Sequence, residues 1–279
     1  MNITSPAFLL AAGLFALLYR ALPSRFRTAW LLLGSLAFLA TWSWEFILVL
    51  AALGTANFLI GRALGRRSSP PLLWTGILFN IAALLLLKYN GFYLPALLAR
   101  FAFPTGPLSF LVPVGLSFLT VQFIGYLVDV HNRRTPAETD LLAFAVFVFY
   151  FPKLLSGPIE RSRDFLPRLK NPERLSPDLL TRSLALLLAG LVRKLLLADP
   201  LHALLPGDLF AAPGSYPAPL LAAFLLAFAF ALYNDFAGYS SIVRGLSALL
   251  GIQLADNFRT PYFSRNFNEF WTRWHVSLS

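Results

Sequence analysis

Residues 28–62 read TAWLLLGSLAFLATWSWEFILVLAALGTANFLIGR, and before Arg62 the only charge in the stretch is Glu45. The hydrocarbon core of a bilayer, about 30 Å thick, takes about 20 apolar residues in helical form. The stretch is therefore too long for one span. Thr41-Trp42-Ser43-Trp44-Glu45 interrupts it with polar and aromatic residues, and tryptophan is enriched where membrane meets water. The reading is two spanning helices joined by an interfacial turn.

Working outward, further apolar runs lie near 6–22, 72–94, 108–130, 179–198 and 217–234. Ser5-Pro6 suits the opening of the first helix, and Ser176-Pro177-Asp178 that of a later one: a hydroxyl cap, a first-turn proline, and in the second case a first-turn acid. Over the whole chain, apolar residues make up 57%, charged residues 13%, and the mean hydropathy is +0.66. Soluble domains are nearer one quarter charged. The expected fold is all-α: a polytopic transmembrane helical protein forming a single membrane domain over 1–279, with re-entrant and amphipathic helices. The N-terminus lacks the basic region of a cleaved signal peptide.

Loop charge orients the spans. Arg20, Arg25 and Arg27 lie in one loop; Arg62, Arg66 and Arg67 come two helices later, and Arg133 and Arg134 two spans after that. These loops share one side, the cytoplasm, which puts the N-terminus outside. The run 141–156 is short, carries Pro152 and Lys153, and precedes the basic stretch Arg161 to Arg174. It reads as a re-entrant or broken helix, a form tolerated at membrane depth only where protein or a water cavity shields the backbone. Ile242, Val243, Leu246, Leu249, Leu250 and Leu254 recur at helical spacing, which predicts a separate amphipathic helix at the interface over 242–254.

The net charge of +10 sits in short loops between apolar runs, so no nucleic acid is expected as a partner. The chain has no cysteine, and its scattered His131, His202 and His275 do not make a metal site.

Polar residues near membrane depth are the candidates for chemistry, since a carboxylate there costs about 2.5–3.5 kcal/mol unless protein or water receives it. Tyr233-Asn234-Asp235-Phe236-Ala237-Gly238-Tyr239-Ser240-Ser241 is such a cluster, expected to end the preceding span. The bland alternative has Asn234 and Asp235 satisfying a helix terminus. Phe267 to Ser279 reads as one helix with Glu269 and Arg273 paired at i,i+4, and with Trp271, Trp274, His275 and Leu278 on the opposite side. Pro113 to Phe118, with Gln122 and Asp129 on the same span, reads as close helix packing or a cavity wall.

Several stretches together carry a resemblance. They are Val112-Pro113-Val114-Gly115-Leu116-Ser117-Phe118 through Tyr126-Leu127-Val128-Asp129-Val130, then Phe151-Pro152-Lys153-Leu154-Leu155-Ser156-Gly157-Pro158-Ile159 and Asp164-Phe165-Leu166-Pro167. Arg193-Lys194 through Ala198-Asp199 follow, with Tyr233 to Ser240, Asn257-Phe258, Pro261-Tyr262, and Phe270-Trp271 leading to Arg273-Trp274-His275-Val276-Ser277-Leu278-Ser279. In this order they resemble the membrane-bound O-acyltransferase (MBOAT) family, in its alginate O-acetyltransferase branch.

The resemblance implies an acyltransferase with a tunnel through a bacterial inner membrane, surrounded by lipid. Such an enzyme moves an acetyl group from a donor, acetyl-CoA, to hydroxyls of an exported cell-envelope polysaccharide, with no bound cofactor and with periplasmic acetyltransferases as possible partner proteins. It assigns His275 a supporting role and Asn234, Asp235, Tyr239, Ser240, Trp271 and Trp274 to the substrate tunnel. The family's principal catalytic histidine lies downstream of this motif and thus beyond Ser279, so the end of the sequence reads as a truncation and the chain alone is expected to be inactive or nearly so. Transfer of D-alanine to teichoic acid is the alternative within the family. A transporter or channel, which a broken helix and intramembrane polar residues also suit, and an inactive fragment are the alternatives outside it.

Overall fold

The computed structural model describes residues 3–93, Arg100, 115–154 and 157–278. Among these, every regular element is helical apart from one isolated antiparallel bridge, Phe258 to Trp274. The helices are α1 Pro6–Ala21, α2 Ser24–Ala40, α3 Trp44–Arg66, α4 Pro70–Lys88, α5 Leu116–His131, α6 Leu141–Phe149, α7 Phe151–Leu154, α8 Ser162–Lys170, α9 Pro177–Leu191, α10 Asp199–Ala203, α11 Ala218–Leu249 and α12 Phe267–Arg273. A π-helical segment, Val192–Ala198, continues α9 into α10. Helices α3, α4 and α11 are long and apolar enough to cross a membrane. Two compact units emerge: Leu17–Leu155 with Ile159–Pro172, and Asn2–Ala16 with Ser156–Pro158 and Glu173–Ser279.

Local chemistry sets the helix starts where the sequence predicts them. Ser5 Oγ accepts the Phe8 N–H at 3.2 Å, and Ser176 Oγ accepts that of Leu179 at 3.1 Å. The run 28–62 divides as expected, with residues 41–43 between α2 and α3. The part of the 108–130 run before Gly115, including Pro113 and Val114, lies outside the described residues; Gly115 opens α5 with φ 76°, a left-handed conformation that glycine adopts freely.

In the first unit, α3 and α4 are joined by an amide pair. Asn57 Nδ2 donates to Asn80 Oδ1 at 3.0 Å, and Asn80 Nδ2 donates to Asn57 Oδ1 at 2.8 Å, both side chains fully enclosed. Interhelical amide bonds of this kind hold helices together where lipid gives no hydrophobic drive. The run 141–156 is broken at Tyr150, between α6 and α7. The buried Lys153 donates to Gln122 Oε1 at 2.5 Å and lies over the rings of Phe147 and Phe165. Asp129 is buried with Arg134 and Arg161 at 3.8 and 4.0 Å. Gln122 and Asp129 are thus engaged in polar contacts within this unit.

Three expectations in the second unit are corrected. The polar cluster 233–241 does not end a span, and 242–254 is not a separate amphipathic helix: α11 runs unbroken through both, from Ala218 to Leu249. Three of the polar residues are tolerated through partners of their own: Asn234 Nδ2 donates to Phe230 O and Ser241 Oγ to Ala237 O, one turn back, and Asp235 pairs with Lys194. Phe267 to Ser279 is not one helix either. α12 stops at Arg273, Trp274 is extended, and His275 has φ 47°. The Glu269–Arg273 pair forms as predicted, at 2.5 Å, whereas Trp274 and His275 leave the helix.

Candidate functional site

The site residues foreseen in the sequence fall in the second unit. α11 carries most of them, and its position is set by close packing on α9. A Cβ on Gly190 would stand 2.7 Å from the carbonyl oxygen of Gly238, and one on Gly245 would stand 2.8 Å from that of Ser183. Only glycine permits the two backbones this approach.

The approach brings Asp235 beside the π-helical segment. Lys194 Nζ lies 2.7 Å from Asp235 Oδ1 and 2.7 Å from Asp199 Oδ1. A π turn inserts a residue into a helix and re-aims its side chains, and such segments recur at functional sites. In the sequence, Arg193-Lys194 and Ala198-Asp199 stand as motifs with no visible tie to Asp235. The available signal was charge: three charged groups within apolar runs each need a partner. Ser240 Oγ, one turn beyond, is buried and has no hydrogen-bond partner among the described residues. Tyr239 is half-buried on the same helix.

Tyr233 links α11 to the segment after it. Its ring centroid lies 6.0 Å from Phe258, 5.4 Å from Tyr262 and 6.4 Å from Trp274. Tyr262, Phe270 and Trp274 form a stack, with Phe270 at 6.4 Å and 18° from Tyr262 and at 5.6 Å and 16° from Trp274. Trp271 packs edge-on against Phe270 at 5.4 Å and remains exposed. Tyr262, Arg265, Phe270 and Trp271 help line a cavity of about 450 Å³. α12 is held there by reciprocal capping: Asn266 Oδ1 accepts the Glu269 N–H, and Glu269 Oε2 accepts the Arg265 N–H, both at 2.8 Å.

The turn at Trp274-His275 is shaped by backbone pairing with Asn257 to Arg259. Arg259 N–H donates to Arg273 O and Val276 N–H to Asn257 O, both at 2.9 Å. These bonds flank the Phe258–Trp274 bridge and draw the chain out of helix. His275 is left in a left-handed conformation uncommon outside glycine. It is 7% exposed and packs edge-on against Phe258 at 6.0 Å. Burial holds its imidazole pKa below the ordinary histidine value, so the ring is neutral at pH 7 and able to accept a proton or a hydrogen bond.

The structure therefore gathers Trp274 and His275 with Tyr233 through one aromatic cluster, sets Trp271 on the adjoining cavity, and places Asp235 in a separate ionic contact with Lys194. The aromatic positions Phe258 and Tyr262, quoted in the sequence only as motif residues, are the links between α11 and the histidine.

Curated proteins of similar sequence agree on the chemistry of the group. The chain is 35% identical to the "probable alginate O-acetylase AlgI" of Azotobacter vinelandii, over all of this chain and 57% of that protein. It is 29% identical to the peptidoglycan O-acetyltransferase of Helicobacter pylori, over 96% of the chain and 56% of the relative. It is 32% identical to the teichoic acid D-alanyltransferase of Streptococcus thermophilus, over 62% of the chain and 43% of the relative. The chain thus spans about half the length of the curated relatives it matches. The family pattern itself matches residues 130–279, a stretch that includes the π-helical segment, the whole of α11 and the Trp274-His275 turn, and on that match the chain belongs to the membrane-bound O-acyltransferase family.

Proposed function

We propose that this chain forms part of a bacterial inner-membrane O-acetyltransferase that acylates hydroxyls of an exported cell-envelope polysaccharide of the alginate kind. The donor is acetyl-CoA, and the N-terminus faces outward, as the distribution of loop arginines supports. In the reaction the acceptor hydroxyl oxygen attacks the thioester carbonyl. The new C–O bond forms, the C–S bond breaks, the hydroxyl proton passes to a base, and the thiol leaves. Stabilising the carbonyl oxygen and removing that proton are the tasks of such a site.

The observation that carries the reading is His275: a buried, neutral imidazole held in a left-handed turn beside the aromatic stack. Its assigned role is positioning, with the principal base further downstream in the family pattern. Trp271, Trp274, Asn234, Asp235, Tyr239 and Ser240 line the path of the substrate. Polysaccharide is favoured over teichoic acid because the alginate relative matches the whole chain, whereas the D-alanyltransferase matches 62%. Acetyltransferases on the outer side of the membrane would be its partners in relaying the acetyl group.

The test uses membranes bearing the product of the complete reading frame, supplied with radiolabelled acetyl-CoA and the host's polysaccharide. Alkali-labile acetyl esters should form, and His275→Ala should lower kcat/KM by about 10²-fold, the size expected for a misplaced substrate. Unchanged turnover in His275→Ala would remove the residue from the site. Transfer of D-alanine from a carrier protein, with none of acetyl, would overturn the polysaccharide reading.

A further inference from the structure

A cavity of about 520 Å³ lies in the first unit, where α3 and α5 end. Arg62 and Arg66, one turn apart on α3, and Arg133, just past α5, all line it. None of these arginines makes an ion pair with a carboxylate among the described residues. The acidic groups on α5 and in the loop after it are engaged elsewhere: Glu138 with Lys170 at 2.6 Å, Asp129 with Arg134 and Arg161, and Asp140 with the N–H groups that open α6. Among the described residues no carboxylate balances this positive charge, although Arg62 lies 5.7 Å over the ring of Phe58. Thr135 and Thr139 add hydroxyls to its lining, and Val130 adds an apolar wall.

The walls are held together by specific contacts. Ser68 Oγ donates to the His131 carbonyl at 3.0 Å and lies 3.1 Å from its Nδ1, tying the end of α3 to the end of α5. A Cβ on Gly65 would stand 2.6 Å from that of Ala137, so the loop after α5 lies directly on the last turn of α3. Tyr126 accepts the Glu138 N–H at 3.2 Å, anchoring the same loop from below.

Position selects the ligand. α3 is apolar enough to span and has 23 residues, with Trp44 at one end and Arg62 and Arg66 at the other. At about 1.5 Å per residue its length matches a bilayer core, which puts the arginines at head-group depth. We infer that this arginine-lined cavity at the ends of α3 and α5 binds the phosphate of an anionic phospholipid, with the acyl chains lying along the apolar helices. Basic pockets between spanning helices take lipid head groups in this way, and arginine pairs with phosphate through two parallel N–H donors. The proposal concerns a site apart from the acyl-transfer residues and does not depend on their role.

The experiment is native mass spectrometry of the purified chain in detergent, with phosphatidylglycerol or phosphatidylcholine added. One phosphatidylglycerol should remain bound per chain, in preference to phosphatidylcholine. Each of Arg62→Gln, Arg66→Gln and Arg133→Gln should weaken binding about fivefold, and the triple variant about a hundredfold. The triple variant of Arg25, Arg163 and Arg174 to Gln, with the same net charge, should bind as the wild type does; circular dichroism establishes that both triples are folded, and the single variants carry the test if one is not. Equal retention of the two lipids, or equal losses in the two triples, would overturn the site. Displacement of the lipid by equimolar pyrophosphate would also overturn it, showing that the cavity serves a soluble phosphate.

Discussion

Lys194 Nζ sits 2.7 Å from a carboxylate oxygen of Asp235 and equally close to one of Asp199, so a single ammonium bridges α11 and the start of α10. The lysine is 27% exposed. It is shielded enough for the contact to matter, yet a single pair of this kind contributes on the order of 1 kcal/mol.

Lys194→Met should therefore destabilise more than Asp235→Asn, because it leaves two facing carboxylates without their cation. The difference is expected to be about 1 kcal/mol, and the two changes together should cost less than their sum, by at least about 0.5 kcal/mol. Thermal unfolding in detergent across the double-mutant cycle measures both quantities. Strict additivity would mean that the contact carries no energy.

Gly190→Ala should be costly although alanine is the better helix former. The added Cβ meets backbone, the carbonyl of Gly238 and the N–H of Ile242, at 2.7 and 2.8 Å, so no side-chain rotation relieves it and the helices must part. A loss of about 1–3 kcal/mol is expected, the usual range for overpacking. Gly13→Ala, where the new methyl meets nothing within 4 Å, should be neutral or slightly stabilising. Comparing their unfolding midpoints separates a steric effect from helix propensity.

The amide pair Asn57–Asn80 should show the cost of an orphaned buried group. Asn57→Leu leaves the Asn80 amide without its cross-helix partner and should cost about 1–2 kcal/mol. Replacing both by leucine should recover part of that loss. A double variant as unstable as the sum of the two singles would count against the pair.

His275 predicts a pH dependence of known sign. Its folded pKa is lowered by burial, so between the folded and unfolded values the unfolded state binds the proton and the native state does not. Stability is full above the ordinary histidine pKa of ~6.5 and is lost as pH falls through that value toward the folded one. His275→Gln should flatten this part of the melting-temperature profile, below about pH 7. A variant with the same slope as the wild type would show that His275 titrates as an exposed residue.

Much of the architecture was legible in residues 28–62 and the runs like them. Backbone polar groups in lipid must be satisfied within their own segment, so a long apolar run of few charges admits little besides a helix. The caps at Ser5 and Ser176 involve donors three residues away and are equally local. The candidate site is legible as residue identities: Trp271, Trp274, His275 and the polar stretch 233–241 stand out in the sequence, without the turn that sets them.

What the sequence could not decide was anything settled by a distant partner. Asp235 marks a helix end when read alone; with Lys194 beside it, α11 continues through. Phe267 to Ser279 has helical spacing, yet the N–H of Arg259 and the carbonyl of Asn257 claim backbone groups on either side of Trp274, and the chain turns at His275. Sequence by itself determined that this protein is a set of apolar helices, because the solvent demands it. Tertiary structure alone decided where two of those helices end, because the competing hydrogen bonds and ion pairs come from segments that meet only after folding.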